Sequence, residues 1–282
     1  MEKECNGRPV LDSHFIVSSS HFACFFSRVC CVCLLSLSLS LSLSYSPEGR
    51  LYQVEYAIEA VKLGTTAVAV AVKDGIVIGA EKRLASRLIV PESLEKISKI
   101  DAHCLASSSG LTADARKMVK KARLEAQSFT FSYAERCPIS SLAKATCDLA
   151  LKFGEDRDER EENDKDKMSR PFGAALLFGG IDDEGPAVYC CDPSGTYTKW
   201  SAKAIGAGSE GAQNALEEQY NEDLTLEEGV QLVLKVLRQV MEEKIEPRNV
   251  ELASIGGTVD NPVYVDYTQD QLKEVIGALP KE

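Results

Sequence analysis

Between Thr65 and Ala80 the chain has no polar face. Ala67, Ala69 and Ala71 fall on one side of an extended segment and Val68, Val70 and Val72 on the other; Lys73-Asp74-Gly75 follows, then a second apolar run from Ile76 to Ala80. A strand with apolar residues on both sides has to be covered on both sides. This hairpin therefore belongs to a sheet held between another sheet and a layer of helices. The Asp74-Gly75 pair predicts a tight turn in which glycine supplies a positive φ.

The remaining elements follow by periodicity. A second strand pair is expected near 96–100 and 103–109. Two helices come next. Leu111, Ala115, Met118, Val119 and Ala122 share one helical face, and so do Leu142, Ala145, Leu149 and Phe153, after Pro138. Strands resume at 172–179, 187–191, 196–200 and 204–208, divided by turn signals at 183–186 and 192–195, and are expected to form a meander. Helices over about 209–221 and 225–243 lead to a short strand near 250–256 and a last helix at 269–279. Strands, two helices, strands and two helices in that order predict an α+β fold of antiparallel sheets with helices grouped on the outer faces.

The length of 282 residues fits one large domain or two small ones. Residues 1–45 carry three acids and three bases, so the net charge of −11 resides entirely in the remainder, and an acidic body excludes nucleic acid as the expected partner. Five of the ten cysteines (Cys5, Cys24, Cys30, Cys31, Cys33) lie before residue 46. The other five, Cys104, Cys137, Cys147, Cys190 and Cys191, have no metal-ligand spacing and read as buried reduced thiols. No metal and no cofactor is expected. His103 is the one histidine of the body and reads as a structural residue at a strand end. One histidine cannot supply a Ser-His-Asp triad or a histidine metal cluster. Residues 155–167 hold eight acids, four bases and no apolar side chain, and read as a solvated loop.

Residues 22–45 have no acid and one base. They resemble a signal peptide or a membrane anchor, but the start MEKEC is not a basic n-region and Leu35 to Ser44 alternates leucine with serine throughout. An uninterrupted CT dinucleotide repeat translates as that alternation. Residues 1–45 are therefore read as an atypical extension outside the fold, translated from a wrongly assigned first exon, with the folded domain over 46–282. No membrane attachment is expected.

Ser46 to Lys62, SPEGRLYQVEYAIEAVK, reads as a capped helix: Ser46 at the cap, Pro47 in the first turn, and Leu51, Val54, Ile58 and Val61 on one face. This stretch closely resembles the signature that opens proteasome α-type subunits. The resemblance continues through 63–83, LEKISKID at 94–101, SGLTADAR at 109–116, DPSGTYTKW at 192–200 and AIGAGSEGA at 204–212. The acidic insertion ending in MSRPFG at 168–173 and the run GSEGA resemble one member of the ring more than its neighbours. The family implies a four-layer αββα sandwich, that of N-terminal-nucleophile hydrolases. It also implies a non-catalytic role in ubiquitin-dependent degradation, in cytoplasm and nucleus. The partners implied are other α-type and β-type subunits in a stacked heptameric-ring particle, and a regulatory particle or other activators that dock through C-terminal tails.

Site residues carry over by position. Lys96 matches the lysine that pairs with the carboxylate of an activator tail, and Gly64 and Leu111 match the wall of that pocket. Pro47, Glu55 and Tyr56 match residues associated with the gate. The family's Tyr-Asp-Arg motif is missing, since Ser38, Leu39 and Ser40 stand in its place. A competing enzyme reading starts from Gly64-Thr65-Thr66, which resembles the site where β-type precursors are cut to free a threonine, with Glu81 and Lys96 at the positions of the acid and the lysine. It requires a free Thr65 amine as base. With sixty-four residues before Thr65, no catalytic residue is expected.

Overall fold

A computed structural model describes residues 49–86, 88–154, 168–258 and 261–279. The chain divides into two compact units, Met1–Tyr52 and Gln53–Glu282. Of the first, Gly49 to Tyr52 are described. Gly49 bends with φ +84° and Arg50 is not helical, so the first helix, α1, spans Tyr52–Lys62 and starts later than the Ser46 cap predicts. Pro47, the 22–45 stretch and the acidic run 155–167 lie outside the described residues.

The second unit holds two five-stranded antiparallel sheets. One contains β1 (Ala67–Val72), β2 (Gly75–Glu81), β8 (Ala202–Ile205), β9 (Val250–Gly257) and β10 (Pro262–Asp266) in the order β10-β9-β2-β1-β8. The other runs β3-β4-β5-β6-β7, from Ile97–Asp101, Cys104–Gly110, Ala174–Asp182, Gly185–Cys191 and Tyr197–Trp200. Helices α2 (Thr112–Tyr133) and α3 (Ile139–Leu151) cover the second sheet. Helices α4 (Ser209–Gln219), α5 (Leu226–Val240) and α6 (Gln269–Ala278) cover the first. This is the αββα sandwich that the family resemblance implies, within the α+β class expected from the element order.

The alternation of β1 explains the layering. Val68, Val70 and Val72 join Val230, Val233, Leu234 and Leu237 of α5 in one core. Ala67 and Ala69 face the opposite sheet, which contributes Leu105, Leu177 and Val188 to the core between the sheets, beside Ile76 and Ile78 of the neighbouring β2. Small residues on β1 and large ones on β2 share the inner face of one sheet, and the other sheet packs on it across about 10 Å. Burying each such aliphatic side chain contributes about 1.5–3 kcal/mol. The capping box of Thr225 and Glu228 fixes the start of α5.

Three sequence expectations are corrected. The meander stops at β7, because the chain crosses at Ser201 and β8 pairs with β1 in the other sheet. The 262–266 strand was not foreseen; it is a short edge strand opening on Pro262, paired only with β9. Gly75 does not adopt a positive φ. It is required instead by close approach, since a Cβ there would stand 2.0 Å from the Ile255 carbonyl oxygen. By contrast Gly179 and Gly180 serve close packing: Cβ atoms there would meet Ile76 and the His103 carbonyl.

These contacts order two glycine substitutions. Gly75→Ala is expected to cost about 1–3 kcal/mol by overpacking against backbone. Gly211→Ala, on α4, where the nearest atom is 3.8 Å away, is expected to gain about 0.5–1 kcal/mol. Denaturant unfolding of both variants beside the parent checks the order, and a neutral Gly75→Ala would refute the close-approach argument.

Candidate functional site

At one end of the sandwich β1 and β3 begin and β2 and β4 end, and there Lys96 and Gly64 each lie against the last residues of β4, which Leu111 follows. Lys96 sits one residue before β3. Its carbonyl accepts from the Ser108 N–H at 3.3 Å and the Ser107 hydroxyl at 3.4 Å. Its own N–H donates to Glu251 Oε2 at 2.9 Å, across the two sheets. The backbone of Lys96 is thus held from both sheets, and the residue is only 9% exposed.

Charged groups surround it. Glu251 Oε2 also takes the Lys82 ammonium at 2.9 Å. Glu81 Oε2 accepts the Thr66 N–H at 3.2 Å, and its other oxygen lies 3.7 Å from the Arg83 guanidinium. The Lys82 charge also acts on Asp266, which Glu95 neighbours in turn. Burial pushes the Lys96 ammonium below the usual lysine value, the Glu251 and Glu81 carboxylates oppose that, and Arg83 adds to the lowering. No ion pair within 4.0 Å engages this ammonium among the described residues. A lysine in a buried position, with no ion-pair partner within 4.0 Å among the described residues, is suited to receive a carboxylate.

Gly64 closes α1, its N–H bonded to the Val61 carbonyl and its carbonyl accepting the Ala207 N–H at 2.9 Å. A Cβ on Gly64 would stand 2.2 Å from the Gly110 nitrogen, and one on Gly110 would stand 2.3 Å from the Gly173 carbonyl oxygen. The Ser109 hydroxyl lies 3.2 Å from the Val61 carbonyl and 2.9 Å from that of Thr65, tying the α1–β1 turn to β4. Gly110 then turns with φ +102° to deliver Leu111.

Leu111 is the N-cap of α2, yet no side chain caps that helix end and Leu111 is 48% exposed. An apolar N-cap in place of Ser, Thr, Asp or Asn costs about 1 kcal/mol. Such a break in local preference marks a position retained for what it contacts. Part of the loss is recovered because the Leu111 N–H donates to the Gly173 carbonyl at 2.9 Å.

The gate-associated positions are on α1. Tyr56 is 53% exposed and Glu55 half-buried; the stripe of Leu51, Val54, Ile58 and Val61 is likewise only partly covered, with Val61 alone buried among the four. The enzyme-like triplet is differently arranged. Thr66, not Thr65, donates its N–H to Glu81 and accepts the Gly208 N–H at 3.2 Å, while Thr65 is peptide-linked to Gly64 at the end of a helix.

Outside this end the chemistry is structural. His103 is fully buried in the β3–β4 turn, its Nε2 2.8 Å from the Cys137 carbonyl oxygen and its Nδ1 3.6 Å from Asp101. Cys104, Cys137, Cys147, Cys190 and Cys191 are buried free thiols, as expected, and burial pushes Cys137 up to about 11. A hollow of 520 Å³ under α1 has the mixed charges of Lys62, Lys203, Asp192 and Glu210. Among the described residues no cluster of three or more ligating side chains could hold a metal, and no helix is long and apolar enough to cross a membrane.

Sequence reasoning missed two features. One is Glu251, which reaches Lys96 from 155 residues away. The other is Asp114, in the first turn of α2, which takes the Arg170 guanidinium with both oxygens at 2.7 and 3.1 Å and the Gly173 N–H at 2.9 Å. A sequence signal existed for the second pair, since SGLTADAR and MSRPFG both stand out as motifs, but nothing in their spacing joins them.

Two packed antiparallel sheets with helices on both outer faces, joined at Gly64 to a preceding helix, form the architecture of the proteasome subunit class. The chain belongs to the proteasome subunit family, matching it over residues 61–255, and over residues 41–60 it carries the N-terminal signature of the family's α-type subunits. It is similar to the probable alpha type-5 proteasome subunit of Schizosaccharomyces pombe, 52% identical over 222 residues, or 79% of this chain and 88% of that one. It is also 50% identical over 235 residues to the alpha type-5 proteasome subunit of Dictyostelium discoideum, covering 83% and 94% of the two chains. The Drosophila melanogaster alpha type-5 subunit is 46% identical over 232 residues, 82% and 93% of the respective chains. The α-type resemblance drawn from the 46–62 helix, and the particular member pointed to by MSRPFG and GSEGA, both stand.

The Asp114 carboxyl titrates in a testable way. Burial alone would raise it, but the Arg170 and Gly173 hydrogen bonds, with the Arg170 and Lys117 charges, hold it below the usual carboxylate value. A depressed folded value gives stability that is fully present above about pH 4, the unfolded aspartate value, and lost as pH falls through the folded one. Arg170→Gln is therefore expected to unfold more easily than the parent at pH 6, with the difference shrinking below about pH 4. An equal difference at both pH values would refute this.

Proposed function

We propose that this chain is a non-catalytic α-ring subunit of the proteasome core particle, assembling with other α-type and β-type subunits in stacked heptameric rings. Its work is ring assembly, gating of the substrate pore and docking of activators, in ubiquitin-dependent degradation, and it resides in cytoplasm and nucleus. The observation that carries the docking role is Lys96: its backbone is fixed from both sheets and the residue is buried, with no carboxylate of the described residues within 4.0 Å of its ammonium. A tail carboxylate supplies the missing charge partner, with Gly64 and the exposed Leu111 as the wall against which the tail lies.

The non-catalytic assignment rests on Thr65. A threonine attacks an amide only when a base takes its hydroxyl proton, and in this class of hydrolase that base is the threonine's own amine. Here the nitrogen of Thr65 is an amide, joined through Gly64 to α1. Glu81, one methylene longer than aspartate, is bonded to the Thr66 N–H instead of orienting a nucleophile.

Two substitutions in reconstituted particles test the proposal. Lys96→Ala is expected to weaken docking at this pocket by about 1.5–3 kcal/mol, the worth of a hydrogen bond to a charged group. Activator-stimulated peptide hydrolysis falls while the yield of assembled particle is unchanged; unaltered stimulation across the activator titration would sink the docking role. Tyr56→Phe, which removes one hydroxyl of a half-exposed side chain, is expected to change stimulated opening more than stability. A large loss of assembled particle would show that the hydroxyl is structural.

A further inference from the structure

The wall of the proposed pocket is not self-supporting. Leu111 has no capping side chain to fix the start of α2, and its N–H is held by the Gly173 carbonyl. A Cβ on Gly173 would stand 2.8 Å from Leu111 Cδ1, so the two residues are packed side chain to backbone without slack. The position of Leu111 therefore follows the position of the 170–173 segment.

That segment is pinned through one carboxylate. Asp114 Oδ2 accepts from Arg170 Nη1 at 2.7 Å and from the Gly173 N–H at 2.9 Å, and Oδ1 accepts from Arg170 Nη2 at 3.1 Å. The Asp114 side chain is largely buried. One turn further along α2 the Lys117 ammonium stands 5.9 Å from the centroid of the Phe172 ring, and that ring is buried in the core. Arg170 Nη1 also donates to the Pro171 carbonyl at 3.0 Å, which stiffens the segment itself. A forked guanidinium on a carboxylate fixes orientation as well as distance. An ammonium in place of Arg170 would supply charge without that fork.

We propose that Asp114 and Arg170 are positioning residues for activator docking: their ion pair sets Gly173, and through Gly173 the Leu111 wall, at the distance from Lys96 that a tail needs. This rests on the reading of Lys96, Gly64 and Leu111 as the tail pocket. Asp114 and Arg170 do not touch the tail. They act on how well it fits, so losing them raises the tail concentration needed for half-maximal stimulation and leaves the maximal rate in place.

The test uses reconstituted core particles that contain this subunit, with a synthetic heptapeptide that ends in an activator's C-terminal sequence and a free carboxylate, and with its C-terminal amide as control. Stimulated hydrolysis of a fluorogenic peptide is read against heptapeptide concentration. Asp114→Asn is expected to raise the half-maximal concentration about two- to thirtyfold, the range for residues that act through a coupled network, with the maximal rate unchanged. Arg170→Lys gives an intermediate rise, and the exchange Asp114→Arg with Arg170→Asp restores part of it. In a Leu111→Ala background Asp114→Asn adds no further rise, because the wall it positions is gone.

Lys96→Ala separates the two levels of the argument. A rise for Lys96→Ala with none for Asp114→Asn overturns the positioning role and leaves the pocket standing. No rise for either removes the pocket reading itself. An additive effect of Asp114→Asn on Leu111→Ala, or a fall only in particle yield, also overturns the proposal. Should Asp114→Asn not assemble, Arg170→Lys, which keeps the charge, decides it by the same concentration shift.

Discussion

Three stretches of backbone meet with no side chain between them: the turn after α1 at Gly64, the end of β4 at Gly110 and the start of β5 at Gly173. A Cβ at any of the three would stand under 3.0 Å from a neighbouring atom, and at Gly64 and Gly110 that atom is backbone. Overlap with backbone cannot be relieved by rotating a side chain, so Gly64 and Gly110 are fixed by their neighbours, while Gly173 is constrained by the Leu111 side chain. This contact decides where α1 meets the sheets, where Leu111 emerges and how the Ser109 hydroxyl can reach the carbonyls of both Val61 and Thr65. The proposed pocket is what these constraints leave at the surface.

What could be read in the sequence follows from the same physics. The alternation of β1 was legible because both of its faces are buried and each demands its own residue size, so layer order came with the pattern. The long helices were legible because their apolar faces are wide. The strand at 262–266 was not, because an edge strand opening on proline and half exposed carries neither alternation nor a continuous apolar run. Nor was the crossing at Ser201, since β7 and β8 are separated by one residue and nothing local records which sheet each joins. At Gly75 the right residue was explained by the wrong cause: the limit is the Ile255 carbonyl of β9, nearly two hundred positions away in sequence.

The site divides the same way. Lys96, Gly64 and Leu111 came from family resemblance; what holds them came from geometry. Glu251 and the Asp114–Arg170 pair bridge segments far apart in the chain, and charge pairing at such separations leaves no periodicity to detect. The sequence reading sets Leu111 on the apolar face of a helix, and the structure makes it the uncapped N-cap. A leucine followed by Thr112 at the start of a helix is misplaced by capping preference, since threonine one position earlier would have capped α2. A local rule broken without local compensation is a reason to look at that residue for function.

The charge arrangement bears on why a non-catalytic chain would hold a lysine at this position. Desolvating an ammonium costs several kcal/mol, and a carboxylate in direct contact would offset it. Glu81 and Glu251 are near enough to favour the charge, but each is already bonded elsewhere, to the Thr66 N–H and to Lys82. Without a catalytic threonine the lysine has no developing charge to stabilise inside this chain. A leucine or methionine there would be the cheaper residue if packing were its only role. An ammonium kept under these conditions stabilises something only when a negative group arrives from outside, and one carboxylate is the complement of one ammonium. The body around it is strongly acidic, so a carboxylate is repelled at long range and held only on contact, and docking at this end is governed by the fit of the tail against Leu111 more than by steering.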